Sequence, residues 1–357
     1  MFGRSGRVVH ARRTDDVPGL TRRCTDPDLL AEWTRCHAEP AGLRDLLDDL
    51  DRLARPVRPR LTRTAVAFAW DSADSRTRAW VPQGVTTSAD AHPDGTVHDR
   101  VIVATSWYSP TVAGHTEGAR VTFVDVTAPT PRYRHVLLVK PWRHAATGDV
   151  ATHPVAVHAG GLVWYGDLLF VASTYGGLRV FDLGDLVRVD PGSFGGHAYV
   201  LPQRWAYEPG PDASARMRYS FVSLDRSSTP HALLAGEYGR GSAPTRIARF
   251  CLDSATAHLS GADASTRPVE AFLLDVRSMQ GVARLGSTYV VTASHGPRGR
   301  GDLWVGDPSS GFRRHRWALP AGPEDLSAWP ARDLLWTLTE WPGRRQVLAL
   351  RAGDWTR

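Results

Sequence analysis

GGLVWYGDLLFVASTYGGLRVFDLGDLVRVDPGSFGGHAYVLPQRW, residues 160–205, holds four short apolar runs separated by turn residues. Gly160-Gly161-Leu162 opens the first, 168–173 forms the second, 177–183 the third, and 197–205 a fourth, more polar one. Runs of this length, rich in β-branched and aromatic residues and bounded by Gly and Asp, read as strands joined by hairpins. The same order recurs on both sides. First strands open at Gln83-Gly84-Val85, Ser220-Phe221-Val222, Gln280-Gly281-Val282 and Glu324-Asp325-Leu326. Second strands follow at 101–105, 231–236, 289–293 and 334–339, and third strands at 120–126, 245–252, 301–306 and 345–350. Fourth strands follow at 134–139, 269–275 and 312–319, but the last unit ends after its third strand. A matching strand, 64–70, stands alone before the first unit.

That mismatch points to a ring. An N-terminal strand that completes the last unit closes the assembly and removes the sheet edges that invite aggregation. The repeat pattern resembles a five-bladed β-propeller of four-stranded blades, all-β, spanning residues 61–357, with 1–60 as an arm and a short helical segment. The resemblance is one of repeat pattern, since no named blade signature recurs. A β-sandwich or two smaller β-domains is the alternative. The first unit carries an insertion, ADAHPDGTVH, between its first two strands.

In the preceding region, Asp26 caps a helix with Pro27 at its first position, and Leu29, Leu30 and Trp33 share a face. A second helix is expected from about Ala41, with Leu43, Leu46, Leu47, Leu50 and Leu53 at helical spacing. Residues 1–25 read as a draped arm, and 56–59 as a boundary.

Composition narrows the class. The 357 residues are 42% hydrophobic and 22% charged, too apolar for a disordered chain. No apolar run approaches the roughly 18 residues of a membrane helix, and the N-terminus lacks a signal core. The expectation is a cytoplasmic protein with no membrane partner. Net charge is +6, and Lys140 is the sole lysine among 43 basic residues. The arginine clusters (Arg55, Arg58, Arg60 and Arg63; Arg298 and Arg300; Arg313, Arg314 and Arg316) are interleaved with Pro, Gly and apolar residues. They read as solvated faces rather than a nucleic-acid surface. Cys24, Cys36 and Cys251 have neither disulfide nor zinc spacing. His92, Asp94 and His98 form only a weak metal signal, and no metal or cofactor is expected. Phosphate-loop, zinc-protease and serine-hydrolase motifs are absent.

The repeat defines columns that converge at one mouth of a propeller, where such proteins usually bind ligands. The first-strand column reads Gln83, Gly160, Ser220, Gln280, Glu324, with His158 two residues before Gly160. The second-strand column ends in Ser106-Trp107, Thr174-Tyr175, Glu237-Tyr238, Ser294-His295 and Glu340-Trp341. Each pair joins a hydroxyl or carboxylate to an aromatic or His. Glu237, Glu340 and His295 are the candidate proton-transfer residues. Trp107, Tyr108, Tyr175, Tyr238 and Trp341 would hold a ring system, and Gln83, His158, Gln280 and Glu324 would orient it. The competing structural roles are aromatic wedges between units and salt bridges from Arg240 or Arg344 to the glutamates. The columns point to a cofactor-independent enzyme acting on a small ring-containing metabolite by cyclisation, hydrolysis, isomerisation or elimination. A small-molecule or glycan-binding propeller without catalysis is the alternative, and a protein scaffold a blander one. A glycoside hydrolase ranks lower, because an Asp would be expected where Gln83 stands.

Overall fold

The computed structural model describes residues 7–58, 63–210, 216–262 and 264–356. Strands make up 51% of it and helices 11%. The strands fall where the repeat sets them. Unit 1 is the antiparallel meander Val81–Thr87, Ile102–Tyr108, Ala119–Asp125, Arg132–Arg143. Unit 2 is Leu162–Tyr165, Leu168–Ser173, Gly177–Asp182, Tyr199–Pro209. Unit 3 is Phe221–Asp225, Ala232–Gly236, Arg246–Cys251, Glu270–Leu274, and unit 4 is Met279–Leu285, Thr288–His295, Gly299–Asp307, Gly311–Ala321. Unit 5 has Pro323–Trp329, Leu334–Thr339 and Val347–Arg351. Its fourth strand is Thr64–Ala69 from the N-terminal side, with Phe68 opposite Val347 and Val66 opposite Ala349.

The first strands touch in cyclic order, each unit with the next and unit 5 with unit 1. A separate apolar cluster fills each gap between neighbouring units. Phe123, Trp164 and Leu201 pack between units 1 and 2; Phe170, Leu224 and Phe250 between 2 and 3; Leu234, Phe272 and Trp304 between 3 and 4. Val290, Leu326 and Leu348 lie between 4 and 5, and Val103, Trp107 and Trp336 between 5 and 1. Both faces of every sheet are therefore covered. This is why Leu168–Ser173 and Leu334–Thr339 are buried throughout rather than alternating. Antiparallel meanders stacked face to face around one axis form a β-propeller.

Near the axis the backbones nearly touch. A Cβ on Gly161 would lie 2.1 Å from the Val222 nitrogen, one on Gly84 2.6 Å from the Leu162 nitrogen, and one on Gly281 2.6 Å from the Leu326 nitrogen. Phe221 holds the equivalent place in unit 3 and lays its ring on Gly236. In unit 5 the place belongs to Asp325, which accepts backbone hydrogen bonds from Val85 and Leu162 at 3.2 and 3.1 Å.

The N-terminal segment runs around the rim. Val8–Val9 adds to the outer edge of unit 4, Ala11–Arg13 to unit 3 and Leu20–Cys24 to unit 2. Asp26 caps the helix Pro27–His37 by accepting from the Asp28 N–H at 2.9 Å. Leu30 and Trp33 of this helix pack on outer strands of units 1 and 2. The second helix is shorter than its leucine spacing predicts, covering only Leu43–Asp48. Arg52–Leu53 instead pairs with the outer strand of unit 1, leaving Leu53 exposed, and Arg55–Pro56 pairs with unit 5. Backbone pairing with an open sheet edge outweighs the weak helix propensity of the Asp-rich stretch 48–51. The boundary at 60/61, and Arg60 with it, lie outside the described residues.

Candidate functional site

A cavity of about 820 Å³ opens where the first strands begin and the second strands end. Units 1 to 5 contribute Gln83, Tyr175, Tyr238, Gln280 and Glu340 in turn, with Ser220 and His158 from the lead-in segments. Beside it a second cavity of about 640 Å³ is lined by Tyr108, Trp341 and Arg345 and shares Glu340.

Glu340 lines both cavities, and Glu324, from the first strand of the same unit, lies buried against it without lining either. Their carboxyls are hydrogen-bonded to each other. Glu324 is fully buried and also accepts from Gln280 Nε2 at 2.8 Å. Burial, and then the Glu340 charge beside it, push its carboxyl well above the ordinary carboxylate range. Glu340 is raised by burial too, but hydrogen bonds from Glu324 and from Gln83 Nε2, at 3.5 Å, oppose the rise. Of the two, Glu324 is the carboxyl that more strongly resists ionisation. Glu340 is firmly placed: its backbone N–H bonds to Gly322 O at 3.1 Å, and Arg345 Nε donates to its carbonyl at 2.7 Å. Arg345 Nη1 continues to the carbonyl of Asp74 at 2.8 Å. The Asp74 carboxylate is in turn held by His135, Arg120 and Tyr133, all buried, in a staple sealed away from either cavity.

The walls are aromatic. Tyr108 and His158 pack with ring centroids 4.1 Å apart and planes tilted by 45°. Burial and the neighbouring Glu340 raise the Tyr108 hydroxyl to about 12, and burial lowers His158, so both rings are neutral near pH 7. Tyr175 is exposed, with the Arg218 guanidinium 5.3 Å above its ring.

Three sequence candidates lie elsewhere. Glu237 is not at the cavity; it is fully buried and held by Arg246 at 2.8 and 2.9 Å, while also accepting the Arg218 N–H at 3.0 Å. Its partner is Arg246, rather than Arg240 or Arg344. Arg246 Nη2 also donates to Arg216 O at 2.7 Å, so the pair clamps the segment that delivers Arg218 and Ser220 to the mouth. His295 lines neither cavity and bonds Asp302 at 2.7 Å, beside Arg314. Trp107 is fully buried between units 5 and 1, 4.9 Å from Trp70 and under Arg120, as a wedge. Trp341 reaches only the second cavity, where its ring lies against the Gly322 backbone (φ +69°).

The column reading missed residues on the axis itself. Asp325 stands where three other units carry Gly, a departure visible in the quoted triplets. Deeper still, Asp90 from the unit 1 insertion accepts from Thr86 and Ser327 hydroxyls at 2.8 and 2.7 Å, and burial raises it to about 6. The cavity arginines Arg218 and Arg240 follow no column; in the sequence Arg240 reads only as a salt-bridge partner of a glutamate.

No protein-family model matches the chain. No curated protein matches it. Among solved structures, it is similar to the GH43_1 enzyme from Xanthomonas citri complexed with xylotriose (14% identity, 84% of this chain and 89% of that one, TM-score 0.36). It is also similar to RS223-Beta-xylosidase (10% identity, 87% and 94% covered, TM-score 0.32) and to the Cps50 (Swd1) beta-propeller domain of Myceliophteria thermophila (14% identity, 69% and 67% covered, TM-score 0.29). Likenesses this loose assign no activity. Among the described residues no helix is long and apolar enough to cross a membrane.

Proposed function

We propose that the chain is a five-bladed β-propeller enzyme that moves a proton on a small, ring-containing molecule. The observation that carries this reading is the Glu324–Glu340 pair: a fully buried carboxyl in contact with Glu340, the carboxyl that lines the aromatic-walled cavity. A carboxylate whose affinity for a proton is raised by burial serves as a general base closer to neutral pH than an ordinary Glu. Glu340 exchanges the proton with substrate; Glu324, Gln83 and Gln280 orient and tune it. Tyr108 with His158, Tyr175 and Tyr238 form the ring-binding walls. Elimination, isomerisation, cyclisation and hydrolysis all fit proton transfer of this kind. A glycoside hydrolase fits less well. Its two carboxyls stand about 5–9.5 Å apart rather than in hydrogen-bond contact, and Glu340 is the sole carboxylate lining either cavity among the described residues. The free Cys24, Cys36 and Cys251 support a reducing, cytoplasmic setting, and a small molecule, rather than nucleic acid or membrane, is the proposed partner.

The test is incubation of wild type and Glu340→Gln with a small-metabolite extract, followed by mass spectrometry and by binding of whatever compound changes. A compound consumed by wild type, and still bound but not consumed by Glu340→Gln, is the expected result. Ligands that bind both proteins alike with no turnover by wild type overturn the enzyme reading in favour of a binding propeller.

A further inference from the structure

The charge around the cavity floor is one-sided. The two cavities are lined by seven arginines (Arg179, Arg218 and Arg240 in one, Arg78, Arg298, Arg344 and Arg345 in the other) and by a single carboxyl, Glu340. Arg179 is spoken for, paired with Glu208 at 2.9 Å, and Arg345 is buried in the anchor of Glu340. Arg218 and Arg240 have no carboxylate partner among the described residues, and both border the larger cavity. The Arg218 guanidinium carbon lies 5.3 Å from the centroid of the Tyr175 ring, within cation–π range, so the cation and one of the aromatic walls stand side by side. The Arg218 main chain is held by the buried Glu237, so the guanidinium starts from a rigid base.

Cations concentrated in a concave, partly desolvated site raise the local potential and favour anions. Glu340 is the one carboxyl among the described residues lining the cavities, and Arg218 and Arg240 outnumber it. We propose that the ligand of this cavity is an anion, a ring-bearing molecule whose carboxylate, sulfate or phosphate group is taken by Arg218 and Arg240 while its ring lies against the tyrosines. Guanidinium groups match such oxyanions by paired N–H donors. This deepens the proton-transfer reading and rests on it for the site. The oxyanion fixes one end of the molecule, which sets the reacting carbon or oxygen over Glu340.

Equilibrium binding tests it by calorimetry on the full chain. The probes are benzoate, phenyl sulfate and phenyl phosphate, against benzamide and phenol as neutral partners, at low and high salt. At least one anion is expected to bind about tenfold or more tightly than its neutral partner. That preference should weaken as salt screens it and vanish in Arg218→Gln/Arg240→Gln, a variant of solvent-accessible side chains whose folding is checked by its melting curve. Which anion is preferred identifies the oxyanion. No preference for any anion, including no binding at all, overturns the proposal, as does a preference that survives the double variant. Binding is read whether or not anything is turned over. Preference without turnover leaves the anion seat and removes the enzyme; turnover confined to neutral compounds removes the seat and leaves the enzyme.

Discussion

Replacing Glu237 with alanine separates a structural carboxylate from a chemical one. In the folded protein its two oxygens take Arg246 Nε and Nη2 at 2.8 and 2.9 Å and two backbone N–H groups, from Arg246 and Arg218, at 3.1 and 3.0 Å. The side chains are 2% and 4% exposed, so solvent cannot replace what is lost. Breaking a buried pair costs about 3–5 kcal/mol. The lower end applies, because Asp16 at 3.5 Å and the Arg216 carbonyl still attend the guanidinium. With an unfolding entropy of about 2.1 cal/mol/K per residue, a chain of this length loses about 0.75 kcal/mol per degree near its midpoint, so about 3 kcal/mol lowers Tm by about 4 °C. Differential scanning calorimetry is the assay, with Glu237→Met/Arg246→Met as companion; swapping both partners for apolar side chains should recover at least half of the loss. A shift under about 1 °C would refute the reasoning. So would a Glu237→Ala protein of full stability that has lost turnover, since that is the signature of a catalytic acid.

Asp90 supplies a pH test. Its folded carboxyl sits at about 6 against an ordinary 3.8, so it resists ionisation when buried. Above pH 6 the unfolded chain ionises it freely in water while the folded chain must bury the charge; stability is therefore present in acid and lost as pH rises from about 4 to 6. Asp90→Asn should match wild type near pH 4 and exceed it by up to about 3 kcal/mol at pH 7 in urea titrations; equal stability at pH 7 would count against it. Gly161→Ala drives a methyl to 2.1 Å from the Val222 nitrogen and should reduce soluble yield or lower Tm far more than Gly166→Ala, which meets open space at a φ of +59°; similar melting curves for the two would show that the inner strands can part. Trp107→Ala, which empties a fully buried wedge, should cost about 3–5 kcal/mol in the same titrations while leaving ligand affinity within about threefold. A large affinity loss with a small stability loss would return Trp107 to the cavity.

The strands were legible because each unit repeats the same physical problem: a short apolar strand, a tight turn, another strand. The second strand of unit 2, Leu168–Ser173, could be read to the residue, since burial on both faces makes the whole run apolar and Gly and Asp end it. The second helix was not, since Leu53 spacing says helix while the open edge of unit 1 takes Arg52–Leu53 as a strand. The site was half legible. Gln83, His158, Tyr175, Tyr238, Gln280 and Glu340 share one cavity because they share repeat positions. Glu237 and Glu340 share a column as well, yet Arg246 holds one and an open cavity faces the other.

From the amino-acid order alone come the strand runs, the unpaired strand 64–70 and the columns that point at an axis, because alternation and turn chemistry act over a few neighbouring residues. The ionisation state of a carboxyl does not. It depends on whether Arg246 or Glu324 stands at its oxygens and on how much water reaches it, and residues brought together across 9 to 257 positions of chain decide that. The tertiary structure therefore made Glu237 a clamp and Glu340 a candidate base, and set Arg218 and Arg240, which have no carboxylate partner among the described residues, in the same cavity as the latter.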